Sequence, residues 1–306
     1  MKRGNTIGTG GYLSQGDYLT SLNGLFHVIM QTDGNLVVYH GSDPDNQIGN
    51  AIWTSNTFTT PCFLVVNGDG NLCIYKGTGP NDNQGFVWGL NDHNRLPFDG
   101  NRNWGTVAVM QEDGNFVVYT PHGVMWGDDV VPVISSFEAQ LTYDLASRKI
   151  TDTNSPDQVP LEVDNYNDSD TTQTRILTFQ KATTKTASWS ATNQIKVGVS
   201  AKFGGGIPAI GISEVTISTE FTHSYTWGET ESTQDSITAQ IPVTAGPYES
   251  VKCTALLMKR RYEIPYSGMA TFHYEDGASV SGPISGTYTG ELYYLMSNTT
   301  SSPIPH

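Results

Sequence analysis

The nonapeptide QTDGNLVVY at residues 31–39 returns as NGDGNLCIY at 67–75 and as QEDGNFVVY at 111–119. Each copy reads as a strand, an Asp-Gly turn and a returning strand, the strongest short-range hairpin signal a sequence offers. A tryptophan follows each one: Trp53 in AIWTSN, Trp88 in FVWGLN and Trp126 in VMWGDD. The motif aspartates Asp33, Asp69 and Asp113 stand 36 and then 44 residues apart, a spacing that marks three stacked copies of one unit. Residues 1–128 are therefore expected to form one all-β domain with pseudo-threefold repeats, the tryptophans supplying its shared core.

Alternation assigns the faces. Successive strand residues point to opposite sides, so Gln31, Asp33, Asn35, Val37 and Tyr39 are expected to share one face. A row of donors and acceptors beside a small apolar spot and a phenol suits a sugar, which offers vicinal hydroxyls and a patch of C–H groups. The third copy repeats the set as Gln111, Asp113, Asn115, Val117 and Tyr119. The second keeps Asp69, Asn71 and Tyr75 but carries Asn67 for Gln and Cys73 for Val, and the shorter amide and the thiol count against that pocket.

At these residues the chain resembles the bulb-type, snowdrop-like mannose-binding lectins, whose Gln-x-Asp-x-Asn-x-Val-x-Tyr motif forms three pockets on a β-prism. The resemblance implies that Asp33 and Asn35 bind the axial 2-hydroxyl of mannose, Gln31 the 3-hydroxyl and Tyr39 the 4-hydroxyl, with Val37 packing on the ring carbons. Residues 111–119 inherit the same roles. It also implies a disulfide from position 34 to Cys62, which Gly34 cannot make.

Composition excludes other classes. A formal net charge of −14 opposes a phosphate-backbone partner, because nucleic acid rewards Lys and Arg surfaces. Cys62, Cys73 and Cys253 are odd in number and too few for a disulfide framework; Cys62 and Cys73 either face each other across a hairpin or stand as buried thiols. No CxxC, HExxH or clustered His pattern occurs, so neither a metal nor a cofactor is expected. No nucleophile, base and orienter are legible together, which argues against an enzyme. The start, MKRGNTIGTGGYLSQ, lacks the apolar core of a signal peptide. The expectation is a soluble protomer that is secreted or released, then acts at a target-cell membrane.

The repeat ends at GDDVVPVISS, residues 127–136, and long Ser/Thr-rich runs follow. These read as long strands of an elongated β module over 129–306. Within it, 195–221 alternates. Ile195, Val197, Val199, Ala201 and Phe203 fall on one face, with Lys196 and Lys202 on the other; Val215, Ile217 and Phe221 oppose Glu214 and Glu220. Folding about Pro208 would set Lys202 against Glu214 and Lys196 against Glu220, and apolar residues against apolar ones. Each run is nine residues, against about 9–11 for a transmembrane strand, and between them lies an apolar tip of Ile207, Pro208, Ala209, Ile210 and Ile212.

With the flanking strands and SYTWGETES, this half resembles the aerolysin-type β-pore-forming proteins. The resemblance implies a ring of about seven protomers on a bilayer bearing mannose-containing glycans. Each would give one hairpin to a closed barrel, as backbone in lipid requires. Ile195, Val197, Val199, Ala201, Phe203, Val215, Ile217 and Phe221 would face lipid; Lys196, Lys202, Glu214 and Glu220 would line the lumen. The alternative is a non-lytic mannose-specific agglutinin or defence lectin whose hairpin stays folded as ordinary sheet.

Overall fold

The computed structural model of the chain describes residues 1–90, 105–121, 123–154, 161–191, 195, 198–211, 214–218 and 222–303. The repeat region is built from β1 (Thr6–Gly8), β2 (Tyr12–Ser14), β3 (Tyr18–Thr20), β4 (Phe26–Met30), β5 (Leu36–His40) and β6 (Ile48–Thr54). It continues through β7 (Cys62–Val66), β8 (Leu72–Lys76), β9 (Gly85–Gly89), β10 (Val107–Met110), β11 (Phe116–Thr120) and β12 (Gly123–Gly127).

These strands make three four-stranded antiparallel sheets, β3-β4-β5-β6, β2-β7-β8-β9 and β1-β10-β11-β12. Each repeat supplies three strands, and the first twenty residues give one short edge strand to every sheet. Ile7 sits opposite Ala108, Leu13 opposite Leu64 and Leu19 opposite Val28. Leu13, Leu19, Val28, Val38, Leu64, Ile74 and Val118 are fully buried, each contributing about 1.5–3 kcal/mol by leaving water. The result is a β-prism in which no repeat is complete without the N-terminal segment.

The tryptophans meet edge to face, with ring centroids 6.2 Å apart for Trp53–Trp88, 5.5 Å for Trp53–Trp126 and 6.3 Å for Trp88–Trp126. They do more than fill a core: together with Ser55, Asn56, Asp128 and Asp129 they line a cavity of about 280 Å³. Cys62, Cys73 and Cys253 are buried thiols that form no disulfide. Cys62 pairs with Lys76, and Cys73 with Val65, so the two do not face each other across the hairpin. Burial, with Asp33 nearby, pushes the Cys62 thiol up to about 11.

Past the repeats come β13 (Ile134–Tyr143), β14 (Lys149–Asn154), β15 (Leu161–Asn167), β16 (Gln173–Ala191), β17 (Ser200–Gly204) and β18 (Pro208–Ile210). The last five are β19 (Val215–Ile217), β20 (Thr222–Thr226), β21 (Glu231–Ala245), β22 (Glu249–Tyr274) and β23 (Ser279–Pro303). Nine of them join one sheet in the order β20-β17-β13-β22-β23-β16-β21, with β14 and β15 also on β22. Alternating β-branched and Ser/Thr residues sustain such long strands. β16 and β21 pair from Gln173 opposite Ala245 to Ala187 opposite Glu231 without a break.

The chain divides into two compact units. One is Met1–Ala139 with Thr192–Ala201 and Met269–Ile284; the other is Gln140–Ala191 with Lys202–Gly268 and Ser285–His306. In the second, Leu177, Val243, Ala245, Val251, Cys253 and Ala255 form an apolar cluster. Two fully buried amides clamp the base of the β16–β21 ribbon. Asn165 Nδ2 donates to Val243 O at 2.8 Å and Asn167 Nδ2 to Gly246 O at 2.7 Å.

Candidate functional site

The three motifs fold alike, though not as continuous strands. β5, β8 and β11 begin only at Leu36, Leu72 and Phe116; the residues before them form turns. Short polar side chains bond the local backbone better than a strand ladder would. Asp33 Oδ1 accepts the Asn35 N–H at 2.9 Å, Asp69 Oδ1 that of Asn71 at 2.9 Å and Asp113 Oδ1 that of Asn115 at 3.1 Å. Gly34, Gly70 and Gly114 follow with φ of 92°, 89° and 93°, a left-handed backbone that glycine adopts freely. At Gly34 a Cβ would stand 2.1 Å from Thr59 O, so position 34 admits no side chain, cysteine included.

Each turn uses one carboxylate oxygen on the backbone and leaves the other without a hydrogen bond among the described residues. The amide at the head of the motif then reaches across the pocket to the tyrosine. Gln31 Nε2 donates to Tyr39 Oη at 3.0 Å and Gln111 Nε2 to Tyr119 Oη at 2.5 Å. In the second copy Asn67 Nδ2 reaches Tyr75 Oη at 3.0 Å and Cys73 Sγ at 3.2 Å. The shorter amide therefore preserves the contact to the motif tyrosine. Val37, Cys73 and Val117 are 1 %, 1 % and 3 % exposed, so their side chains are packed inside the prism.

The copies differ in what orients the asparagine. Asn35 Oδ1 accepts from Thr54 Oγ1 at 2.7 Å and Ser55 Oγ at 3.0 Å. Asn71 Oδ1 accepts the Leu90 N–H at 3.1 Å. Asn115 Oδ1 is buried with no hydrogen-bond partner among the described residues, and Gly127 stands where the first copy has Thr54. The residues after each tryptophan, TSN, GLN and GDD, are the sequence signal for this difference, and motif reading passed over them. Asp128, in the third of these, is buried and takes hydrogen bonds from Phe116 N and Val130 N. Desolvation raises it from 3.8 to about 6 despite those bonds.

The apolar stretch is arranged differently from the expectation. Lys196, Val197, Ile212, Glu220 and Phe221 lie outside the described residues. The hairpin does not turn at Pro208. Instead Pro208 faces Ile217, Ala209 faces Thr216 and Ile210 faces Val215, and Gly211 N donates to Glu214 O at 2.9 Å to close the turn. Lys202 and Glu214 are both exposed but are not cross-strand partners, nor are Ala201 and Val215 or Val199 and Ile217.

Backbone chemistry accounts for this shift. Gly205 and Gly206 both take left-handed φ, 87° and 85°, which ends β17, and Gly206 lies so close to Ser218 that a Cβ would be 2.1 Å from its carbonyl oxygen. Val199, Ala201 and Phe203 are buried, while Ile195, Ile207, Val215 and Ile217 are half-buried. Phe203 packs on Trp189 at 5.1 Å and Tyr225 at 6.1 Å between ring centroids, and Trp189 Nε1 donates to Tyr143 Oη at 3.1 Å. Among the described residues no helix is long and apolar enough to cross a membrane, a fact that leaves strands unaddressed.

Comparison with known proteins follows the same division. Residues 130–304, more than half of the chain, match the family described as Clostridium epsilon toxin ETX/Bacillus mosquitocidal toxin MTX2. The mannose-specific agglutinin from snowdrop (Galanthus nivalis) bulbs, solved with methyl-α-D-mannoside, is 35 % identical over 38 % of this chain and 88 % of its own, with a TM-score of 0.28. A monomeric monocot mannose-binding lectin from Gastrodia elata is 26 % identical over 42 % of this chain and 98 % of its own, TM-score 0.32. Lamprey immune protein covers 97 % of each chain at 17 % identity, TM-score 0.44. No curated protein matches the chain. Joined to a bulb-type lectin domain of three repeats, the chain belongs to the Clostridium epsilon toxin ETX/Bacillus mosquitocidal toxin MTX2 family, of the aerolysin type.

Proposed function

We propose that this protein is a mannose-directed pore-former, with a lectin domain over 1–128 and a pore-forming module over 129–306. Secreted or released as a soluble protomer, it binds high-mannose glycans through the pockets at Asp33 and Asp113, with Asp69 a third, weaker contact. Several weak sites gain by acting together on a glycan-bearing surface. Crowded protomers then assemble into a ring of about seven, and the 195–221 segments zip into one barrel. No cofactor, metal or nucleic acid takes part, and no bond is made or broken.

The observation that carries this reading is the register of β16 and β21. Their ladder ends at Ala187 opposite Glu231. Continued in the same register past that point, it would set Ala201 against Ile217 and Phe203 against Val215, apolar against apolar on one face. Lys202 would meet Thr216, one diagonal step from Glu214, on the other face. The segment enclosed by the ribbon thus carries the two-faced pattern of a membrane strand pair, whose backbone only a closed ring of chains satisfies.

Planar-bilayer recording tests this directly. Discrete, uniform conductance steps across a membrane carrying a high-mannose glycolipid are expected. Binding without conductance would choose the second reading, a non-lytic agglutinin, which the burial of Val199, Ala201 and Phe203 in the folded chain favours.

A further inference from the structure

The apolar tip is held in place by more than its own strands. The β18–β19 ladder has only three residue pairs, and an isolated two-stranded hairpin of that size is marginal in water. Two buried tyrosines from the long strands reach its backbone. Tyr262 on β22 donates to Gly211 O at 3.0 Å, and Tyr288 on β23 donates to Pro208 O at 3.4 Å.

Beside the second anchor lies Gly290, inside the 25-residue strand β23 and paired with Ala187. Glycine weakens a strand interior and marks places where another group approaches closely. Gly290 has no left-handed φ to require it. A Cβ built there would instead stand 2.2 Å from Ile210 Cδ1 and 2.8 Å from Tyr288 Oη. The glycine is therefore a socket for the side chain of Ile210.

We propose that Gly290 and the hydroxyls of Tyr262 and Tyr288 form a catch that stows the apolar tip around Pro208–Ile210, and that this catch sets how readily the tip leaves the folded chain. The consequence for membrane entry rests on the pore-forming reading, whereas the catch itself does not. A methyl group at position 290 must expel Ile210 or displace Tyr288. Losing a tyrosine hydroxyl leaves the tip's carbonyl without its buried donor while keeping the ring volume.

The test is hydrogen–deuterium exchange of the full chain in solution, without membrane. Tyr262→Phe is expected to speed exchange at residues 207–211 and 214–218 by about threefold to tenfold, the worth of one hydrogen bond. Gly290→Ala should do so by at least about tenfold, and amides of β4 should not change in either variant. Unchanged exchange at the tip in Tyr262→Phe and in a folded Gly290→Ala would overturn the catch. Faster exchange without vesicle leakage by any form, wild type included, would uphold the catch and remove the pore-forming reading instead.

Discussion

His40, the last residue of β5, and Asp276, in the turn between β22 and β23, meet through Nε2 and Oδ2 at 3.0 Å. The imidazole is fully buried, tilted against Tyr274 at 4.3 Å and Phe26 at 5.2 Å. Desolvation outweighs the carboxylate and lowers the His40 pKa below its usual 6.5, and His27, also fully buried, is lowered for the same reason.

Both shifts have a definite sign. Below about 6.5 the unfolded chain binds protons that the folded histidines refuse, so stability falls as pH drops through that window. Asp128 acts the other way, because its raised value favours the folded, protonated form between about 6 and 3.8. Each group contributes at most about 1.4 kcal/mol per pH unit. In thermal unfolding followed from pH 7 to 4.5, His40→Gln should flatten the acid loss of Tm and Asp128→Asn should steepen it. Parallel curves for the three proteins would contradict this assignment.

Replacing Asp33 and Asp113 by Asn keeps the Oδ1 that holds each turn and turns the other oxygen into a donor. Hydrogen bonds to charged groups are worth about 1.5–3 kcal/mol, so the double variant should bind methyl α-mannoside roughly tenfold to hundredfold more weakly in calorimetry, with an unchanged Tm. Adding Asp69→Asn should remove the remainder, since Asn67 still holds Tyr75. Full binding by the triple variant would dismiss all three pockets.

Thr54 and Ser55 fix the Asn35 amide by donating to its Oδ1. With the other two pockets silenced by Asn substitution, Thr54→Val combined with Ser55→Ala should weaken the first pocket by about threefold to tenfold. The equivalent double change at Gly127 and Asp128 is not available to the third pocket, which already lacks those hydroxyls. An unaltered Kd would mean that Asn35 needs no orienting partner.

Val215→Arg places a charge on the expected lipid face at a residue that is only half-buried in the folded chain. Near the bilayer midplane such a charge costs about 2–4 kcal/mol per strand. Glycan binding should survive and dye release should fall at least tenfold. Val199→Arg is a poorer probe, because Val199 is 6 % exposed in the folded protein. Leakage at the wild-type rate from Val215→Arg would remove the barrel.

The three repeats were legible because turn chemistry is local: Asp, Gly and Asn at fixed offsets dictate the same bonds in every copy. The N-terminal strands that complete each sheet are only three residues long, too short for periodicity to register, and their pairing with Leu64, Val28 and Ala108 is decided by packing. The 195–221 stretch shows the limit from the other side. Val199, Ala201 and Phe203 are buried alike, but charge pairing about Pro208 gave the wrong turn, because the left-handed glycines at 205 and 206 end β17 before Pro208 is reached. The roles of Thr54, Ser55 and Tyr262 depend on contacts distant in sequence, which no single motif encodes.

The most direct measurement is dye release from vesicles bearing a high-mannose glycolipid, with soluble mannan as competitor and glycolipid-free vesicles alongside. The account predicts release that mannan blocks and that bare vesicles show only weakly. Clumped but intact vesicles, or release indifferent to mannan, would contradict it.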